Sequence, residues 1–186
     1  MANLVYLMLA SVDGFVADEN GNFDWAEPDE EVHAFVNDLS RSVGTHLYGR
    51  KMYDVMAVWE NLPDFDTQPP VMQDFARSWQ AAEKVVFSKT MQDVRTDRTR
   101  LERSFDPEKI AALKQLSSSD LSVSGPGLAA QAIGAGLVDV LHIFLAPMIV
   151  GGGNRLLPDR VRSKLELLDQ RHFESGFAYV HYLTVQ

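Results

Sequence analysis

The chain has 186 residues, 46% apolar and 23% charged, a composition that supports one folded domain over 1–186 and argues against disorder along most of its length. Seventeen basic against twenty-six acidic residues give a formal net charge of -9, which repels phosphate backbones and anionic lipid and so excludes nucleic acid and membrane surfaces as expected partners. No cysteine is present, hence no disulfide framework and no thiolate metal site, in keeping with a reducing cytosol; a cytoplasmic location is expected.

"MANLVYLMLASVDG" carries an apolar run from Leu4 to Ala10 with no basic residue before it and Asp13 behind it, and reads as a strand rather than a signal peptide. The Gly-, Asp- and Asn-rich segment that follows is expected to be a long loop. It leads to a helix starting near Pro28, with Val32, Phe35, Val36 and Leu39 on its buried face. "THLYGRKMYDVM" predicts a short strand, a glycine turn at Gly49 and a second helix from about Arg50. Paired prolines then open a helix with Val71, Phe75 and Trp79 four apart, followed by a buried strand in "KVVFS" and an edge strand in "TRLER".

Asp106 is placed to cap, and Pro107 to open, the helix in "DPEKIAALKQL"; "DLSVSG" is the next strand. Strands alternating with helices are the α/β signature. The last third departs from it, because "LVDVLHIFLAPMIV", "LELLDQRHFES" and "GFAYVHYLTVQ" leave no room for helices between strands. A terminal antiparallel addition to a mostly parallel sheet is expected, with Ser175 and Gly176 in the hairpin turn. The apolar stretch from Leu141 to Gly153 contains Pro147 and three glycines and is shorter than the roughly 20 residues of a membrane helix.

Three strand-to-helix junctions hold the chemistry, since parallel-sheet proteins assemble ligand sites outside the carboxyl ends of their strands. In "LYGRKMYD", Arg50 and Lys51 open a helix against its dipole, which an anion would offset; a solvated turn is the other reading. In "VVFSKT", Ser88, Lys89 and Thr90 follow a strand directly and could grip a phosphate. In "VSGPGLAAQAI", Gly125, Gly127 and Ala130 have G-x-G-x-x-A spacing, and a helix N-terminus there offers free N–H groups to a pyrophosphate. The spacing alone does not separate a phosphate cradle from a simple turn. A Rossmann fingerprint is disfavoured, because Asp139 comes too early for the acid about 20 residues on that such a fold requires.

The succession "ASVDGFVA", "GNFDW", "LYGRKMYD", "KVVFSKT", "LSVSGPGLAAQAI", "GLVDVLHIFLAPMIVGGG" and "GFAYVHYL" resembles the dihydrofolate-reductase-like superfamily over nearly the whole chain. It looks closest to the reductase domain of the bacterial riboflavin-biosynthesis deaminase-reductase. That resemblance implies an α/β three-layer sandwich with a mostly parallel sheet of about eight strands and a C-terminal antiparallel hairpin. It also implies NADPH as hydride donor and a homodimer. By position, Gly49, Arg50, Lys51 and Met52 match the segment at the cofactor's phosphates, and Ser88, Lys89 and Thr90 the one that receives the ribose phosphate. Ser124, Gly125, Pro126, Gly127 and Leu128 match the turn beneath the pyrophosphate and nicotinamide. Where the superfamily commonly has paired glycines, this chain has "SGPG", and Pro126 removes one backbone donor.

Among the acids of "WAEPDEE", Glu30 is the positional candidate for delivering or polarising with a proton; helix-dipole stabilisation is the competing reason for three acids at a helix start. Asp13 is expected to shape its loop instead. Trp25, Phe35 and Tyr53 are candidates to line a substrate pocket, with core packing as the alternative for each, and the "PMIVGGGN" turn matches a segment near the cleft. His33, His46, His142, His172 and His181 show no paired ligand spacing, so no metal site is expected, and no G-x-S-x-G elbow anchors a hydrolase. The expected function is NADPH-dependent reduction of a small pterin-like or pyrimidine-like heterocycle. The alternative is a non-catalytic NADPH-binding protein of the same fold.

Overall fold

A computed structural model describes residues 1–185. In chain order the strands and helices are β1 (Leu4–Ser11), β2 (Phe15–Ala17), α1 (Glu30–Ser40), β3 (Val43–Gly49), α2 (Arg50–Met56), α3 (Pro70–Ala81), β4 (Glu83–Phe87), β5 (Thr99–Glu102), α4 (Pro107–Leu116), β6 (Asp120–Ser124), α5 (Pro126–Gly134), β7 (Val140–Ala146), β8 (Asn154–Arg155), β9 (Lys164–His172) and β10 (Ala178–Val185). Eight strands form one sheet in the order β5-β4-β3-β6-β1-β7-β10-β9. From β5 to β7 every pairing is parallel; β10 then runs antiparallel to β7, and β9 antiparallel to β10.

Alternation along the strands puts a hydrophobic set on each face. Leu47, Val85, Leu121 and Val123 join Ile110 of α4 and Leu128, Ala129 and Ala132 of α5 in one core. On the other face Val32 and Val36 of α1 meet Phe144 and Tyr179, while Tyr48 and Val86 meet Tyr53 and Trp79. Helices therefore cover both faces of the sheet, the layered α/β architecture expected. Two large polar side chains buried on this face are partnered: Trp79 Nε1 donates to the Tyr48 hydroxyl at 2.9 Å, and the enclosed Lys84 ammonium donates to the Trp79 carbonyl at 3.1 Å.

Local signals explain several boundaries. The Asp106 carboxylate accepts the Glu108 N–H at 3.1 Å, and Pro107 occupies the first helical position, where its missing N–H costs no hydrogen bond. α1 begins two residues past Pro28, because the Asp29 carboxylate accepts the Val32 N–H at 2.8 Å and fixes the start at Glu30. The closing hairpin turns through Glu174, Ser175 and Gly176, with Gly176 at φ +88° and its N–H donating to the Phe173 carbonyl at 3.0 Å.

The segment expected to be one long loop holds structure of its own. β2 pairs antiparallel with β8 in a separate two-stranded sheet, and Asp24–Ala26 forms a 3-10 turn. Strands of three and two residues are too short to show a period of two. The glycine run was their only mark: a Cβ on Gly153 would stand 2.1 Å from the Ala17 carbonyl oxygen, so only glycine allows that approach.

Candidate functional site

The crossovers divide at one place in the sheet. α1, and then α2 and α3, carry the chain from β1 to β3 and β4 across one face, while α4 and α5 carry it back to β6 and β7 across the other. β6 and β1 are adjacent and leave in opposite directions, so their carboxyl ends frame a crevice of the kind that holds ligands in open α/β sheets. β3 and β4 continue the same edge beside β6.

On that edge the three predicted junctions come together. Arg50 Nη1 donates to Thr90 Oγ1 at 3.0 Å, joining the junction after β3 to the one after β4. A Cβ on Gly125 would stand 3.0 Å from the Met52 Cβ, and one on Gly49 would stand 3.8 Å from the Leu128 Cβ, joining β3's junction to that of β6. Gly125 sits at φ +90°, which L side chains rarely adopt, and no side chain caps α5. The N–H groups of Gly127 and Leu128 are thus left at the helix start without a capping partner, while Pro126 in the first position has none to offer.

The charge here opposes that of the whole molecule. Arg50, Lys51 and Lys89 are exposed, and only Arg50 has a carboxylate nearby, Asp54 at 3.8 Å, among the described residues. Ser88 is buried; its Oγ accepts the N–H groups of Thr90 at 3.3 Å and Met91 at 3.0 Å, so the hydroxyl first shapes its own turn. Arg103, which sequence reading missed, donates to the Ser88 carbonyl at 3.3 Å and the Met91 carbonyl at 2.5 Å and fastens the same turn. Nothing in "TRLER" distinguishes that arginine from a solvated one. Such a set of free helix-terminal N–H groups, cations and hydroxyls suits a polyphosphate.

Across the crevice, the Asp13 carboxylate accepts the N–H groups of Gly151 at 2.7 Å and Val150 at 3.1 Å, clamping the loop after β1 to the loop after β7. The Ser11 hydroxyl first, and those backbone donors, hold its pKa at about 2, so it is ionised and accepts only. The two clamped loops present three apolar side chains, Val12, Met148 and Ile149, to solvent.

The acids at the start of α1 separate by role. Asp29 caps the helix, Glu31 pairs with Arg171 at 2.5 Å, and Glu30 is exposed at the first helical position with no hydrogen-bond or ion-pair partner among the described residues. Trp25 is half-buried against the core of α1 and donates from Nε1 to the Asn22 carbonyl at 3.2 Å. Phe35 lies among Tyr179, Phe173 and Phe144, at 4.9, 5.7 and 6.1 Å between ring centres, with the Arg171 guanidinium over its face. Tyr53 corrects the expectation that it lines a pocket. It is enclosed in the core, and its hydroxyl is used by the Arg95 N–H at 2.8 Å and Thr96 Oγ1 at 3.0 Å.

Two concave spaces lie apart from this edge, one of about 270 Å³ between α4 and β5 and one of about 490 Å³ between the end of α5, β7 and the segment 157–163. No helix among the described residues is long and apolar enough to cross a membrane.

Known proteins resemble this chain in sequence and in fold. YyaP of Bacillus subtilis, an uncharacterized protein, is 27% identical over 179 residues, covering 94% of this chain and 91% of its own. A Shewanella sp. PV-4 protein named for riboflavin biosynthesis superposes with a TM-score of 0.76 at 22% identity over 100% of both chains. A Thermotoga maritima diaminohydroxyphosphoribosylaminopyrimidine deaminase/5-amino-6-(5-phosphoribosylamino)uracil reductase superposes with a TM-score of 0.67 at 16% identity, covering 99% of this chain and 57% of that one. These structural likenesses show a shared fold. The sequence itself matches the RibD C-terminal domain over residues 2–179, and the chain belongs to that family.

Proposed function

We propose that this protein is an NADPH-dependent reductase of a small pterin-like or pyrimidine-like heterocycle. The observation that carries the reading is the meeting of three anion-compatible junctions on adjacent carboxyl ends, joined by Arg50 to Thr90 and by Gly125 to Met52, in a chain of net charge -9. Family membership supports it, as does the reductase named in the Thermotoga neighbour.

In this reading the Gly127 and Leu128 N–H groups and the Gly125 turn hold the pyrophosphate, with Gly49, Lys51 and Met52 beside them and Ser124 and Pro126 shaping the approach. Arg50, Ser88, Lys89 and Thr90 take the 2′-phosphate of NADPH, which NADH lacks. The cofactor, when bound, supplies a hydride. The chain's own part is to orient the two rings at the crevice between β1 and β6, to exclude water there and to supply a proton. Glu30, exposed at the first position of α1 and free of a structural partner among the described residues, is the residue assigned to that proton, and Trp25, in the loop before α1, stands as a wall for the ring.

The test is NADPH oxidation, followed by loss of the nicotinamide absorbance, across a panel of oxidised pterins and pyrimidines. Turnover with at least one, reduced about 100-fold or more by Glu30→Gln, is the result expected of a general acid. Tight NADPH binding without oxidation by any member would instead select the binding-protein reading, which the "SGPG" turn motivates.

A further inference from the structure

The crevice has two unlike walls. On the β3, β4 and β6 side stand the exposed cations Arg50, Lys51 and Lys89. On the β1 and β7 side, residues 12–31, which lead from β1 into α1, hold eight Asp or Glu and no Lys or Arg, and the first Lys or Arg of the whole chain is Arg41. Two of those acids stand against the loop after β7: Asp13 through its bonds to Val150 and Gly151, and Glu19, whose carboxylate oxygen would meet a Cβ on Gly152 at 2.8 Å. Two arginines reach this side from later strands, and both are engaged. Arg171 pairs with Glu31 and lies over the rings of Phe35 and Phe173, 5.0 and 4.8 Å from their centres, while Arg155 lies over the Phe15 ring at 5.5 Å with Asp159 at 3.8 Å. Arg160, Arg162 and Lys164 lie beside Val185, at the amino end of β7 and away from the crevice. What this wall offers instead is apolar: Val12, Met148 and Ile149 are exposed together, where the Val12 N–H donates to the Met148 carbonyl at 2.9 Å.

On the reductase reading proposed above, we infer that the substrate is a heterocycle that carries no phosphate. A phosphate monoester brings close to two negative charges, and taking it out of water requires Arg, Lys or free helix-terminal N–H groups in place of its hydration. The substrate wall has none to spare among the described residues: its arginines are tied to carboxylates and aromatic faces, and the start of α1 is capped by the Asp29 carboxylate and carries Glu30 and Glu31. A phosphate there would instead meet the ionised Asp13, like charge against like. An uncharged ring with an apolar substituent fits Val12, Met148 and Ile149. The two ligands are thus sorted by charge, the phosphates of the cofactor to one wall and a neutral ring to the other. In this the chain differs from the Thermotoga neighbour, which is named for a phosphoribosyl substrate.

Matched compounds that differ only in the phosphate test this: 5-amino-6-ribosylaminouracil and its 5′-phosphate, beside phosphate-free oxidised pterins, each with saturating NADPH. The unphosphorylated member of the pair is expected to have the higher kcat/KM, by about 10-fold or more, with the gap narrowing as salt is raised, because screening weakens the repulsion. Glu19→Lys is expected to narrow the gap at low salt, chiefly through the KM of the phosphorylated member; a merely structural effect would move both members alike. Where neither member is turned over, calorimetric titration of the protein with the same compounds, NADPH present, reads the preference. Equal or better use of the phosphorylated member, equal or tighter binding of it, or a protein that takes up no phosphate-free ring would overturn the inference. Failure of the reductase reading itself looks different: NADPH is then not bound, or is bound and never oxidised whichever compound is added.

Discussion

The Asp13 carboxylate remains at the surface yet holds two backbone N–H groups of the loop after β7, and the Ser11 hydroxyl first, with those two donors, lowers its pKa to about 2. A carboxylate depressed in the folded state contributes stability that is present above its unfolded value near 3.9 and is lost as pH falls toward 2. Asp13→Asn should therefore melt lower than the wild type at neutral pH, with the difference shrinking as pH falls from about 4 to about 2; a constant difference over that window would refute the clamp. His142 behaves in the opposite chemical sense. Burial first, and His181 with ring centres 4.4 Å away, push its pKa down to about 4, and its Nδ1 lies 2.7 Å from the Tyr179 hydroxyl. The neutral form is the folded one, so protonation favours unfolding, and stability declines as pH falls from about 6.5 to about 4. His142→Gln is expected to flatten the melting temperature across that window, and an unaltered slope would show that His142 is not the group responsible. Individual residues were the hardest scale to read from sequence. Tyr53, on a helix flanking the expected site, was open to two readings, pocket wall or core; a helix of period 3.6 turns that position inward, where the 95–96 segment closes over it.

Elements with strong local chemistry were legible in advance. Asp106 and Pro107 mark the start of α4, Gly49 ends β3, and the proline pair opens α3, since caps and fixed φ angles act within a few residues. β2 and β8 were not legible, because their pairing is made across more than a hundred residues by segments too short for periodicity. Gly153→Ala tests that small sheet. With the Ala17 carbonyl 2.1 Å from the new Cβ and φ at +126°, the two strands must part, and faster hydrogen exchange at Phe15–Ala17 is expected with little change in the eight-stranded sheet. Gly125→Ala probes the turn at α5 in the same way. Its φ of +90° and the Met52 Cβ at 3.0 Å should cost about 1–2 kcal/mol, or a fall of a few degrees in melting temperature. No fall at all would mean that the turn relaxes freely and that glycine is not required there.

At the scale of the whole molecule, alternating strands and helices predicted the α/β class, and the order of the motifs predicted the eight-stranded sheet with its antiparallel hairpin. What no segment could reveal was where the crossovers divide. That division between β6 and β1, with β3 and β4 alongside, brings Arg50, Lys89 and Gly125 to one edge although they lie far apart in sequence. Single motifs too weak to interpret alone stand side by side once the sheet is assembled, and in the proposed reading they form one anion-binding surface. The central claim is that this surface takes NADPH, with its 2′-phosphate at Arg50 and Lys89. Calorimetric titration of the wild type and of the Arg50→Ala/Lys89→Ala double variant with NADPH and with NADH tests it most directly. Charge-assisted hydrogen bonds of about 1.5–3 kcal/mol imply that the variant loses roughly 10- to 100-fold or more in NADPH affinity while NADH affinity changes little. Equal losses for both cofactors, or no binding of NADPH to the wild type at millimolar concentration, would contradict it.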